Sequence, residues 1–126
     1  MKPEQVGVIN QQVIKKLVLS IKENTPIMLG ETNIEHMKSE HPDDFEKYFN
    51  QLKNILSAPD YIAKHPKKPS IEYIKVFYDE DKKDHVLVAV RASNRGVFYA
   101  RSLFIMSDEK VEKYRKKGAL IEYEKE

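Results

Sequence analysis

Apolar and polar residues alternate along Val86–Met106, VLVAVRASNRGVFYARSLFIM, in two runs separated by Asn94-Arg95-Gly96. Alternation with period two is the signature of β-strands, and the polar break predicts a hairpin. A three-residue loop commonly ends on a residue in the left-handed region, which glycine adopts without a Cβ clash. That loop puts Arg91 opposite Tyr99 and Ala89 opposite Arg101. One face then carries Val86, Val88, Val90, Ala92, Phe98, Ala100 and Phe104, with Ser102 the polar residue among them. The other carries Arg91, Ser93, Tyr99 and Arg101 among Leu87, Ala89, Val97, Leu103 and Ile105. A two-residue loop at Arg95-Gly96 would instead pair Arg91 with Ala100 and move it away from Tyr99 and Arg101. The three-residue loop is favoured because it separates the small apolar residues from the polar ones.

Spacing of three and four replaces alternation over Phe45, Tyr48, Phe49, Leu52, Ile55 and Leu56. It predicts an amphipathic helix from Pro42 to about Ser57 that covers the sheet. Asp43 and Asp44 in its first turn complement the helix dipole. Thr32-Asn33-Ile34-Glu35 has the form of a capping box and predicts a helix over Asn33–Glu40. Asn10 reads as the N-cap of a helix over Gln11–Leu17, and Ser107 as that of a last helix stopped by Gly118. Gln5–Ile9 reads as a short strand or an extended arm. Pro26–Leu29, Tyr61–Ala63, Ile71–Tyr78 and Leu120–Tyr123 read as strands, with His65–Pro69 and Asp79–Asp84 as polar loops. This order predicts an α+β fold, with N-terminal helices packed on one face of a three- to four-stranded antiparallel sheet and a C-terminal helix. One domain is expected over residues 1–126, its core at about 10–120.

Composition narrows the chemistry by exclusion. At 126 residues, with 40% apolar and 33% charged, the chain is ordinary for a soluble globular protein. A net charge of +2 does not argue for nucleic acid, which only a clustered distribution of basic residues could do. The absence of cysteine excludes disulfides, thiolate chemistry and Cys-based zinc sites. No apolar run has membrane-spanning length, and MKPEQVGVINQQ lacks a signal-peptide core, so a cytoplasmic protein with no membrane partner is expected. There is no Gly-rich phosphate loop, nucleophile elbow or Cys–His pair, which disfavours nucleotide-triphosphate enzymes and covalent hydrolases.

Helices on one face would leave the Arg91 face as a cationic platform suited to a phosphodiester. His36 and His41, five residues apart, do not fit the i, i+4 metal-chelating template, and no acidic cluster is spaced for magnesium or calcium. A site without metal or cofactor is therefore expected. Metal-independent RNA cleavage must take a proton from the 2′-hydroxyl, place positive charge beside a phosphorane-like transition state, and protonate the 5′-oxygen. Arginine suits the second task through its permanent charge and fixed fork of donors. Histidine, glutamate, lysine or tyrosine suits the others. The candidate catalytic residues are His36, His41, Arg91, Tyr99 and Arg101, with Glu72, Lys75 and Ser93 as candidate substrate contacts. Glu72 and Lys75 alternate on their strand, so at most one shares the Arg91 face. Lys75 is favoured, with Ile74 and Val76 toward the core. His41 continues the stripe Ile34, Met37, His41 and reads most simply as a satisfied core or capping residue, whereas His36 points elsewhere.

Three segments together, NTPIMLGETNIEHMKSEHPDDFEKY, SIEYIK and VAVRASNRGVFYARSLFIM, resemble the phage and mobile-element branch of the Barnase–EndoU–colicin–RelE nuclease superfamily. The resemblance spans roughly residues 10–120. It implies N-terminal helices on a four-stranded antiparallel sheet and a metal-independent ribonuclease site on the exposed sheet face. The implied polar positions are His36, His41, Arg91, Tyr99, Arg101 and Ser102, with Glu72 and Lys75 beside them. Ser102 is thus a candidate substrate contact, although the register above turns it to the core side. The expected substrate is RNA, transfer RNA among the candidates, cleaved through a 2′,3′-cyclic phosphate; an immunity or antitoxin protein is a candidate partner. The rival readings are a non-catalytic RNA- or protein-binding module of the same fold, and a structural or regulatory protein with no nucleic-acid role.

Overall fold

A computed structural model describes residues 2–125. In chain order its elements are β1 (Glu4–Ile9), α1 (Gln11–Leu17), β2 (Thr25–Leu29), α2 (Glu31–Glu40), α3 (Pro42–Tyr48), a 3-10 turn over Phe49–Gln51, α4 (Leu52–Ser57), β3 (Tyr61–Lys64), β4 (Ser70–Asp79), β5 (Lys82–Ala92), β6 (Phe98–Ile105), α5 (Asp108–Lys116) and β7 (Ile121–Glu122). The strands form one seven-stranded sheet in the order β1-β2-β6-β5-β4-β3-β7. The α+β class holds, while the strand count and the all-antiparallel pairing are corrected. β1 and β2 form a hairpin-like pair that joins the outer edge of β6, and β2 runs parallel to β6 through Ile27–Phe98 and Met28–Tyr99. β7 adds two residues outside β3. Each of these segments has strand character on its own. Their pairings join residues far apart in sequence, which local periodicity does not encode.

Both faces of the sheet are covered, which corrects the one-sided expectation. Val86, Val88 and Val90 pack in a core with Val13 and Leu17 of α1 and Leu52, Ile55 and Leu56 of α4. Leu87 faces the other way, into a second cluster with Ile74, Met106 and, from α5, Val111 and Tyr114. Strand alternation leaves an apolar patch on this second face, and α5 closes it. At the opposite end of the same face, no residue of α5 lines the hollows beside Arg91 and Tyr99.

The expected helix over Pro42–Ser57 is divided. Its apolar stripe is right, since Tyr48, Leu52, Ile55 and Leu56 are all buried. Its halves are anchored to different strands. In α3, Asp44 Oδ2 accepts from the Ile105 N–H at 2.9 Å, on the β6 edge left open beyond β2, and the Tyr48 hydroxyl donates to Asp84 at 2.6 Å. In α4, Leu56 lies against Gly7 of β1, where an added Cβ would meet its Cβ at 3.3 Å. The 3-10 turn joins these two directions. Residues 79–84 are likewise not a loop: both strands continue to a two-residue turn, Glu80-Asp81, in which Glu80 takes φ 56°.

α2 starts earlier than the Thr32 capping box implies. Its N-cap is Gly30, and the Asn33 side chain turns back to accept the Gly30 N–H at 2.8 Å. The expected caps at Asn10 and Ser107 are formed, accepting from Val13 and Lys110 N–H groups at 3.0 and 3.1 Å.

Candidate active site

The hairpin loop is the three-residue one. Gly96 has φ 81°, Ser93 and Val97 close the turn, and Arg91 stands opposite Tyr99. The register then breaks. Val90 pairs with Ala100 but Ala89 pairs with Ser102, so Arg101 is the extra residue of a β-bulge. Beyond it every side chain of β6 changes face relative to an unbroken ladder. Leu103 enters the main core, and Phe104 leaves it to pack against the second cluster. Ser102 turns away from the core, which corrects its expected orientation and places it beside Arg91.

Six residues line the resulting hollow of about 240 Å³: Arg91, Arg101 and Ser102 from the sheet, and Thr32, Asn33 and His36 from α2. Arg101 also borders an adjoining hollow of about 430 Å³ that holds Tyr99, Pro3 and the first residues of α2. No carboxylate lies within 4.0 Å of either guanidinium among the described residues. The Arg101 Nε is buried and has no hydrogen-bond partner. A buried donor without an acceptor is costly, and a half-buried guanidinium pair without a counter-ion is a site for an anion. The α2 start adds to this field. With glycine as N-cap, the Glu31, Thr32 and Asn33 N–H groups have no side-chain acceptor, and Ile34 is the first to bond back, to the Gly30 carbonyl at 3.1 Å.

The remaining predicted residues divide. His36 is exposed on the rim of the hollow, its Nε2 3.9 Å from Glu40 Oε1 one helical turn on. His41 is the hinge between α2 and α3. Its ring lies against Phe104 at 5.0 Å between centroids, outside the arginine hollow. Ser93 is engaged in the hairpin loop, where its Oγ accepts the Arg95 and Val97 N–H groups at 3.3 Å. Glu72, not Lys75, shares the Arg91 face. It is buried at 3% exposure and accepts the Tyr114 hydroxyl at 2.8 Å, and burial together with this carboxylate pushes the phenol pKa up. Lys75 points the opposite way and donates to the Ala58 carbonyl at 2.7 Å, its pKa lowered by burial and by nearby Lys125. The expectation failed because Ile74 is needed under α5 rather than in the main core. Sequence reading also missed Thr32 and Asn33. A glycine directly after the β2 apolar run is the signal that moves the helix start to Gly30 and brings both residues to the hollow.

A larger cleft, about 750 Å³, lies between α1 and the C-terminal segment, lined by Asn10, Lys16, Tyr123 and Lys125, and contains none of the predicted site residues. A buried ionic network sits elsewhere again, at the far end of the β4–β5 hairpin. Asp84 accepts from Tyr48 at 2.6 Å and from Lys47 at 3.0 Å. Burial would raise the Asp84 pKa, but these two donors outweigh it and hold the carboxyl below its ordinary range, while burial and Asp84 push the Tyr48 phenol up to about 12.

Among the described residues no group of three or more His, Asp or Glu is placed to hold a metal ion, and no helix is long and apolar enough to cross a membrane. The family model for phage-Barnase-EndoU-ColicinE5/D-RelE like nuclease3 (PBECR3) matches residues 4–113. No curated protein and no solved structure gives a significant match.

Proposed function

The chain belongs to the PBECR3 nuclease family, and from that membership and the arginine hollow we propose that it is a metal-independent ribonuclease. The observation that carries this reading is the pair of guanidinia, Arg91 and Arg101, without carboxylate partners in a hollow that also contains an imidazole and a hydroxyl. A phosphodiester seated there meets two permanent positive charges, which attract it in the ground state. They hold it more strongly as negative charge grows on the non-bridging oxygens of the phosphorane. The Ser102 hydroxyl donates to the same oxygens. His36, the imidazole on the rim, takes the proton of the 2′-hydroxyl as its oxygen attacks phosphorus. The bond to the 5′-oxygen breaks, and that oxygen is protonated from the open side of the hollow. The products are a 2′,3′-cyclic phosphate and a 5′-hydroxyl.

The test is incubation of single-stranded RNA with the protein in excess EDTA, followed by phosphorus NMR of the fragments. The reading requires cleavage with 2′,3′-cyclic phosphate ends. Cleavage only after a divalent cation is supplied, or fragments with 5′-phosphates, contradicts it.

One observation favours a second reading, that of a non-catalytic RNA-binding module. His36 is exposed and paired with Glu40 rather than held by a buried partner, so a phosphate site exists without a fixed general base. This module binds RNA with an affinity that falls steeply with salt and leaves the strand intact.

A further inference from the structure

We infer that the site takes an unpaired RNA strand in two subsites divided by Arg101, a phosphate on one side and the neighbouring nucleobase against Tyr99 on the other. The inference rests on the nuclease reading only in taking RNA as the ligand.

The two hollows adjoin at Arg101 but differ in chemistry. Arg91, Arg101 and His36 give the smaller one basic groups and no carboxylate, which suits a phosphate. The larger one combines the Tyr99 ring and Pro3 with the side chains of Glu31, Thr32 and Asn33. Its single arginine is matched by a single acid, so it lacks the surplus charge that a second phosphate needs. What it offers is an aromatic face beside hydrogen-bonding groups, the requirements of a nucleobase. Tyr99 is half-buried, and no other aromatic ring stacks on it among the described residues. A volume of about 430 Å³ admits a base with its ribose.

The bulge is what makes the two subsites neighbours. Arg91 and Tyr99 face each other across β5 and β6. In a regular ladder Arg101 would take the next position on that face, opposite Ala89. As the unpaired residue it instead leaves that position to Ser102 and stands at the boundary, able to touch a phosphate on one side and a ribose or base on the other. A base can reach the Tyr99 ring only if it is unstacked and unpaired, so duplex RNA is excluded from the second subsite.

The experiment is titration calorimetry with 2′-O-methyl ligands, which bind but cannot be cleaved. They are an abasic mononucleotide 3′-phosphate, a dinucleotide carrying a base on each side of that phosphate, and a duplex carrying the same sequence. The wild-type protein is expected to bind the dinucleotide about tenfold more tightly than the mononucleotide, the gain of one base–aromatic stack. The gain is expected to vanish in Tyr99→Ala and persist in Tyr99→Phe, with the mononucleotide still bound by both as evidence of folding. The duplex is expected to show no gain. A gain that survives Tyr99→Ala, no gain in the wild type, or a duplex bound as tightly as the dinucleotide overturns the inference. The full gain without cleavage of unmodified RNA upholds the inference and removes the nuclease reading. Cleavage without the gain does the reverse.

Discussion

Ser102 lines the same hollow as Arg91 because Arg101, the residue before it, has no partner on β5. An unbroken ladder would send Ser102 into the core with Val88 and Val90. A single inserted residue therefore decides both what the core contains and what the site contains.

Deleting Arg101 should remove the bulge and the guanidinium without repacking the core. Joined directly to Ala100, Ser102 keeps its place opposite Ala89 and Leu103 its place opposite Val88, so the faces of β6 are unchanged. Both the deletion and Arg101→Ala, which keeps the bulge, should therefore cost about 1 kcal/mol or less. Urea denaturation of the two variants checks this, and a deletion that costs more than about 3 kcal/mol would mean that the strand does not close into a regular ladder.

His36 and His41 should differ in kind. His36→Ala removes the imidazole on the rim of the hollow and is expected to lower kcat by about 10²–10⁴-fold with little change in Tm. His41→Ala removes a ring packed on Phe104, and is expected to lower Tm by a few degrees (a loss of about 1 kcal/mol) and leave kcat within a few-fold. Single-turnover cleavage and thermal melts of both variants decide which histidine belongs to the site.

Lys75 and Glu72 should not move the chemistry. Lys75 projects from the opposite face, and Glu72 is held by Tyr114 beneath α5. Lys75→Met is expected to cleave RNA at the wild-type rate. Glu72→Gln, which keeps an acceptor for Tyr114, is expected to do so as well, at a stability cost of about 1–2 kcal/mol. A rate loss above tenfold in either would enlarge the site beyond the arginine hollow.

Asp84 gives the fold a defined acid limit. Its carboxyl titrates lower in the folded chain than in the unfolded one, because Tyr48 and Lys47 donate to it against the cost of burial. The stability this provides is complete above the ordinary carboxylate pKa of about 3.9 and is lost as pH falls through the lower folded value. Asp84→Asn is expected to cost about 1–3 kcal/mol at pH 7 and to flatten the decline in stability below about pH 4. Denaturation curves from pH 7 to 2 test this; parallel curves would mean that Asp84 is not a determinant of acid stability.

Much of this arrangement is legible in the chain. Alternation in Val86–Met106, with Gly96 at the end of the loop, is enough to place Arg91 against Tyr99, and turn chemistry is enough to select the three-residue loop. The apolar stripe from Phe45 to Leu56 identifies the buried side of α3 and α4. What escapes is whatever depends on distant partners. Nothing near Arg101 announces a bulge, because the gain comes from seating Leu103 in a core shared with α1 and α4. The division of the Pro42–Ser57 helix follows from Asp44 reaching β6 while Leu56 meets Gly7. The expectation that Lys75 shares the Arg91 face fails because α5 needs Ile74, a requirement invisible within β4. The family resemblance names Ser102 although an unbroken ladder turns it to the core, and the bulge is what brings it to the arginine hollow.

If Arg91 and Arg101 form the cleavage site, an Arg91→Ala/Arg101→Ala double variant must lose the activity that the wild-type protein has on single-stranded RNA in excess EDTA. Circular dichroism and thermal melts of both establish that the variant is folded. Cleavage by the wild type and a loss of about 10⁴-fold or more in the folded variant are expected. Equal cleavage by the two, or none by the wild type on any single-stranded or transfer RNA, would contradict that assignment of the site.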